Sequence, residues 1–110
     1  MKRLILEIGS GKDLYGGDYT KAAKRAVKDA LDHSSITMFR SLNLDPAKMV
    51  VKVTIGVQKP DQVDCVAVAE TLPRGKTEVR AVFGGQDVVD AENKQTHLIA
   101  TAAIEAFYDI

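Results

Sequence analysis

The residues best suited to chemistry lie together near the N-terminus, in Gly9-Ser10-Gly11-Lys12-Asp13-Leu14-Tyr15-Gly16-Gly17-Asp18. This stretch reads as a loop leaving the C-terminal end of one strand and entering the N-terminus of a helix. Open α/β structures place ligands there, because free backbone N–H groups meet the helix dipole. Gly9, Gly11, Gly16 and Gly17 would admit a close backbone approach. Asp13 and Asp18 would accept hydrogen bonds or hold a cation, and Lys21 would pair with an anionic group. The bland alternative is a long turn whose glycines only relieve backbone strain. Two phosphate-binding patterns are excluded. A P-loop needs glycine five residues before Gly11, where Leu6 stands, and Ser or Thr after Lys12, where Asp13 stands. The dinucleotide fingerprint needs a third glycine at Leu14.

Other reactive types are sparser. Lys21, His33 and Ser34 are the candidate catalytic residues, and His33 or Ser34, a base and a nucleophile, could approach a ligand across a subunit interface. Adjacent residues rarely point at one another, and no orienting acid is visible for His33-Ser34-Ser35, so a helix end serves as well. Asp13 and Asp18 with backbone carbonyls form an alternative hard-cation site. His33 and His97 lie too far apart in sequence for a helical metal pair, and Cys65 suits a small buried position.

The elements that must position these residues follow from periodicity. Leu4, Leu6 and Ile8 alternate with Arg3, Ile5 and Glu7, which predicts a strand burying the leucine side. After Asp18 as N-cap, Ala22, Ala23, Ala26, Val27, Ala30 and Leu31 form one helical face, small enough for a close approach to a sheet. Ile36, Phe39 and Leu42 suggest a further helical turn before Asp45-Pro46. Met49 to Val57 is a strand with Val51, Val53, Ile55 and Val57 on one face and the partly polar Val50, Lys52, Thr54 and Gly56 on the other. Pro60 starts a short helix with Val63, Val66 and Ala67 on its apolar side. Thr77 to Phe83 is a third strand. Residues 96–108 fit a buried strand and an alanine-rich helix equally by pattern, with propensity on the helix side. The fold class expected is α+β, a two-layer sandwich in the order β-α-β-α-β plus a C-terminal strand or helix, spanning 1–110 as a single domain.

Composition narrows the class of function. With 45% hydrophobic and 27% charged residues the chain is expected to fold around a core. Lys plus Arg equal Asp plus Glu at 15 each and are interspersed, so no basic footprint for nucleic acid exists. One cysteine excludes an intramolecular disulfide framework. Leu4-Ile5-Leu6 is too short for the apolar part of a signal peptide, and no segment approaches a membrane span, so no membrane contact and a cytoplasmic location are expected.

Glu7-Ile8-Gly9-Ser10-Gly11-Lys12-Asp13-Leu14-Tyr15-Gly16-Gly17-Asp18-Tyr19-Thr20-Lys21-Ala22-Ala23, His33-Ser34-Ser35 and Val53-Thr54-Ile55-Gly56-Val57 together resemble a bacterial family of small conserved hypothetical proteins, over nearly the whole length. Tyr15 stands where that family's pattern has histidine. The family implies no activity and no cofactor. More distantly, the order of elements is similar to YjgF-type and chorismate-mutase-type subunits and to the repeats of ring-opening amidohydrolases. That resemblance implies a homo-oligomer, a trimer, with sites in clefts between subunits, and a strand for the last segment. The functional expectation is a small polar metabolite bound at the glycine-rich loop, with hydrolase or isomerase chemistry as the reaction such a site would carry. The alternatives are a non-catalytic assembly or regulatory subunit, and a metal-binding domain.

Overall fold

The computed structural model describes residues 1–32, 43–72 and 75–109. Strand β1 spans Lys2–Asp13 and is followed by helix α1, Tyr19–Asp32. A 3-10 turn at Pro46–Lys48 leads into β2, Val50–Val57. A second 3-10 turn, Pro60–Gln62, and the short helix α2, Cys65–Ala69, connect β2 to β3, Lys76–Phe83. The chain closes with a hairpin of β4, Gln86–Asp90, and β5, Gln95–Tyr108. These form one mixed five-stranded sheet in the order β1-β5-β2-β3, with β4 also paired to β5. The class is α+β. The further turn at Ile36, Phe39 and Leu42 falls outside the described residues.

Strand β5 is the spine of the sheet. It runs antiparallel to β1 along one side and antiparallel to β2, then β4, along the other. Strand β3 pairs in parallel with β2, and the chain then steps sideways past the end of β2 to become β4. Gly84 and Gly85 make this step possible: the Gly84 amide donates to Val57 O at 2.9 Å, and a Cβ on Gly85 would lie 2.2 Å from Ile99 O. Sequence periodicity left residues 96–108 open between helix and strand, and β4 went unseen. The alanines that favoured a helix by propensity, Ala100, Ala102 and Ala106, are buried small residues of a central strand. Tertiary packing overrides propensity here.

The described helices, α1 and α2, lie against one face of the sheet. That face carries Val51, Val53, Ile55 and Val57 of β2, Leu98, Ala100, Ala102 and Ile104 of β5, and the buried side of α1. Val68 is the buried residue of α2 and Val63 packs against the core as expected, whereas Val66 is exposed.

The closest contact is between α1 and β1. A Cβ on Gly9 would lie 2.4 Å from Ala30 N, and one on Gly11 would lie 2.3 Å from both Ala22 O and Ala26 N. The helix therefore rests on bare strand backbone. This reverses the expected orientation of β1: Gly9, Gly11 and Asp13 face the helix, while Leu6 and Ile8 lie on the uncovered face, 45% and 67% exposed. A one-residue change of parity exchanges the two faces of a strand, and here the glycines decide which side the helix can approach. Helix α1 also closes the free edge of β1. Ser10 N donates to Asp29 Oδ2 at 2.9 Å, and Arg25 Nη1 donates to Lys12 O at 2.5 Å. Unpaired edge groups that invite strand addition are thereby satisfied. Gly11→Ala should destabilise the protein by about 1–3 kcal/mol through overpacking, read as a lowered urea midpoint at unchanged m. An unchanged midpoint would contradict the close contact.

Candidate functional site

Strand β1 extends through Gly9 and Gly11 to Asp13, so the loop itself is only Leu14 to Asp18. Asp13 is its anchor. The buried Asp13 carboxylate accepts hydrogen bonds from Asp18 N at 2.8 Å and Gly16 N at 3.4 Å, with Arg25 Nη1 3.8 Å away. The Asp18 amide chiefly holds the Asp13 carboxyl below the usual carboxylate range. Burial opposes this, and the Gly16 amide and the charges of Lys21 and Arg25 reinforce it. Asp18 caps α1, its Oδ1 accepting from Lys21 N at 3.1 Å and its carbonyl from Ala22 N at 3.1 Å.

The proposed ligand-binding residues thus divide. Gly9 and Gly11 approach the backbone of α1, Asp13 ties the loop closed, and Asp18 starts the helix. Gly16 and Lys21 are exposed beside them, and Gly17 holds the left-handed conformation with φ +64° and open space around it. For the cation alternative, each oxygen of Asp13 already accepts from one backbone N–H. Among the described residues no three acidic, histidine or cysteine side chains cluster as metal ligands. His33 and Ser34 lie outside the described residues.

Near the same end, Tyr19 and Asp87 form a pair that sequence periodicity gave no reason to connect. The Tyr19 hydroxyl donates to Asp87 Oδ2 at 2.5 Å, and Asp87 Oδ1 is buried without a partner among the described residues. Burial, then the hydrogen bond and charge of Asp87, pushes the Tyr19 phenol up to about 12. His97 sits on the opposite face, with Nδ1 2.7 Å from Leu14 O and Nε2 3.9 Å from Asp90 Oδ2. A carbonyl can only accept, so Nδ1 carries the hydrogen. The edge of the Tyr15 ring meets His97 at 6.2 Å between centroids. These contacts fasten the loop to the β4–β5 hairpin from both sides.

The uncovered face presents a second set of groups. Its cross-strand rows are fixed by register: Leu6 beside Glu105, Glu105 beside Lys52, Lys52 beside Glu78; then Ile8 beside Ala103, Ala103 beside Thr54, Thr54 beside Arg80. Leu6, Ile8 and Ala103 make an apolar patch on the β1–β5 half, flanked by Glu105 and by Ser10 and Thr101, and the β2–β3 half is charged. A depression of about 590 Å³ opens on the charged half, lined by Lys52, Thr54, Glu78, Arg80, Glu105 and Phe107 over the backbone of Val53 and Val79. The volume is within the range of small-molecule sites. Lys52 Nζ stands 5.3 Å over the Phe107 ring, Arg80 Nε donates to Thr54 Oγ1 at 3.2 Å, and Arg3 pairs with Glu105 at 3.2 Å. Sequence reading found Lys52 and Thr54 as a polar face but did not join them to Glu78 and Arg80. The signal was present: both strands carry polar residues at alternate positions, and parallel pairing brings those positions side by side.

The family model described as a conserved hypothetical protein, Lin0512_fam, matches residues 3–106. The chain belongs to this family. A crystal structure of an FtsZ-like protein of unknown function from Nostoc punctiforme is similar throughout, with a TM-score of 0.86, 32% identity, and coverage of 99% of this chain and 97% of that one. No curated protein matches. The family is thus one of conserved proteins without an assigned activity. Among the described residues no helix is long and apolar enough to cross a membrane.

Two titrations test the loop. Asp13 has a lowered folded pKa, so its contribution is complete above the unfolded value near 3.8 and is lost as pH falls through the folded value. The acid slope of stability below about pH 4 should flatten in Asp13→Asn, and Asp13→Ala should cost about 1–3 kcal/mol by leaving buried amides without acceptors. A raised tyrosine behaves oppositely: the Tyr19 contribution is complete below about pH 10 and is lost as pH rises toward 12. Ultraviolet titration should show a late tyrosine ionisation that vanishes in Tyr19→Phe. A high-pH limb unchanged by Tyr19→Phe would contradict the Tyr19–Asp87 pair.

Proposed function

We propose that the protein is a homo-oligomeric binding protein, assembled through the apolar half of its uncovered sheet face and holding a small polar metabolite beside the seam. The observation that carries this reading is the outward placement of Leu6 and Ile8, 45% and 67% exposed. Alternating apolar residues signal burial, and among the described residues that burial is not met at Leu6 and Ile8. A contiguous apolar patch marks an interaction surface. The molecule measures 54 × 23 × 18 Å, so half of its broad face offers about 600 Å² per partner, the lower end of the range for specific interfaces.

A second copy of the chain is the occupant that fits. The face interleaves Arg3, Lys52 and Arg80 with Glu78 and Glu105, so it is complementary to itself, as a two-fold contact requires, rather than to a partner of a single charge sign. The trimer that the fold resemblance implies would need a head-to-tail contact, and the self-complementary face favours a two-fold pair instead. The ligand moves with this reading. The side chains that best retain free polar groups are those around the depression, with Lys21 and the exposed Gly16–Gly17 amides as a lesser site on the helix side. No reaction is assigned, so the hydrolase and isomerase expectations stay behind the binding one.

Light scattering coupled to size exclusion should give a mass that is a multiple of the 11.9 kDa chain. Ile8→Lys should weaken association by on the order of 100-fold, about 2.7 kcal/mol, and yield a monomer with unchanged far-ultraviolet circular dichroism. A wild-type monomer at micromolar concentration would overturn the assembly.

A further inference from the structure

We infer that the depression between β2, β3 and β5 binds the anionic group, a carboxylate or phosphate, of a small metabolite through Lys52 and Arg80, with Glu78 at its rim to receive a hydroxyl or ammonium donor of the same molecule. This deepens the binding part of the proposed function and does not depend on the assembly.

The charges on this face are not paired as their register invites. Lys52 lies directly between Glu78 on β3 and Glu105 on β5, positions at which opposite charges normally join across strands. Yet Lys52 Nζ stands over the Phe107 ring, and among the described residues it makes no ion pair within 4.0 Å. Glu105 is taken by Arg3 instead. Arg80 fixes its guanidinium by donating Nε to Thr54 Oγ1, and it too makes no ion pair among the described residues.

The result is two cations in adjacent rows with donors unclaimed by a carboxylate, above a floor of strand backbone. A guanidinium anchored at Nε leaves its two terminal nitrogens for two oxygens of one planar or tetrahedral anion. Lys52 supplies a point charge from the neighbouring row, held upright by the aromatic ring. Glu78, likewise without an ion pair, gives the site one acceptor, which favours a ligand carrying both an anion and a donor over a bare anion. All of these groups stand on strands, so the geometry is rigid before a ligand arrives.

The test is a nuclear magnetic resonance titration of the full chain with inorganic phosphate and, separately, with glutamate, which carries both carboxylates and an ammonium. Saturable shifts are expected at Lys52, Thr54, Glu78 and Arg80, tighter for the probe whose anion and donor both fit. Arg80→Gln and Lys52→Gln should each weaken binding at least tenfold without lowering the melting temperature, and Glu78→Gln should weaken glutamate binding but not phosphate binding. Absence of saturable shifts with both probes, or shifts centred on Gly16, Gly17 and Lys21 instead, would overturn the site. Light scattering on the same samples separates the two readings. A monomer that binds overturns only the assembly, and an oligomer that does not bind overturns only the site.

Discussion

The structure depends on how closely α1 approaches β1. Gly9 and Gly11 remove the side chains that would hold the helix away, and Ala22, Ala26 and Ala30 do the same from the other side. Because only one parity of β1 can accept the helix, this contact also decides which residues of the strand face outward. Leu6 and Ile8 are exposed as a consequence of that packing. The same contact brings Asp29 and Arg25 to the free edge of β1, and it sets the start of α1 where Asp13 and Asp18 can close the loop.

A glycine-rich loop before a helix usually reads as a ligand cradle, and in this chain most of its special residues have folding roles instead. Gly9 and Gly11 lie within the strand. Asp13 satisfies loop amides that would otherwise be buried without acceptors, and a carboxylate does this better than a neutral group, which is the physical meaning of its lowered pKa. Tyr19–Asp87 on one face and His97 on the other then fix the loop to the last hairpin. Among the described residues Lys52, Glu78 and Arg80, on the other face of the sheet, make no ion pair.

Much of the scaffold was legible from residue patterns. The helix after Asp18, its alanine face and the buried valines of β2 follow from periodicity alone. The failures have identifiable causes. Leu4, Leu6 and Ile8 alternate as a buried strand does, yet Leu4 packs against Ala106 and Tyr108 while Leu6 and Ile8 are exposed, because the glycines fix the parity of β1. Ala100 and Ala102 imitate a helix because a strand under a helix also takes small residues. The depression was hidden because its members, Lys52, Thr54, Glu78, Arg80, Glu105 and Phe107, come from separated segments that only strand register joins. The family resemblance named relatives correctly, and the structural neighbour shares the fold without adding an activity.

The central claim is that the uncovered face of the sheet is covered in solution. Hydroxyl-radical footprinting of the wild-type protein reads this side chain by side chain. The account predicts that Leu6 and Ile8 label slowly, like the buried Leu98, while Val66 and Phe83, exposed on other surfaces, label fast. Labelling of Ile8 as rapid as that of Val66 would contradict it.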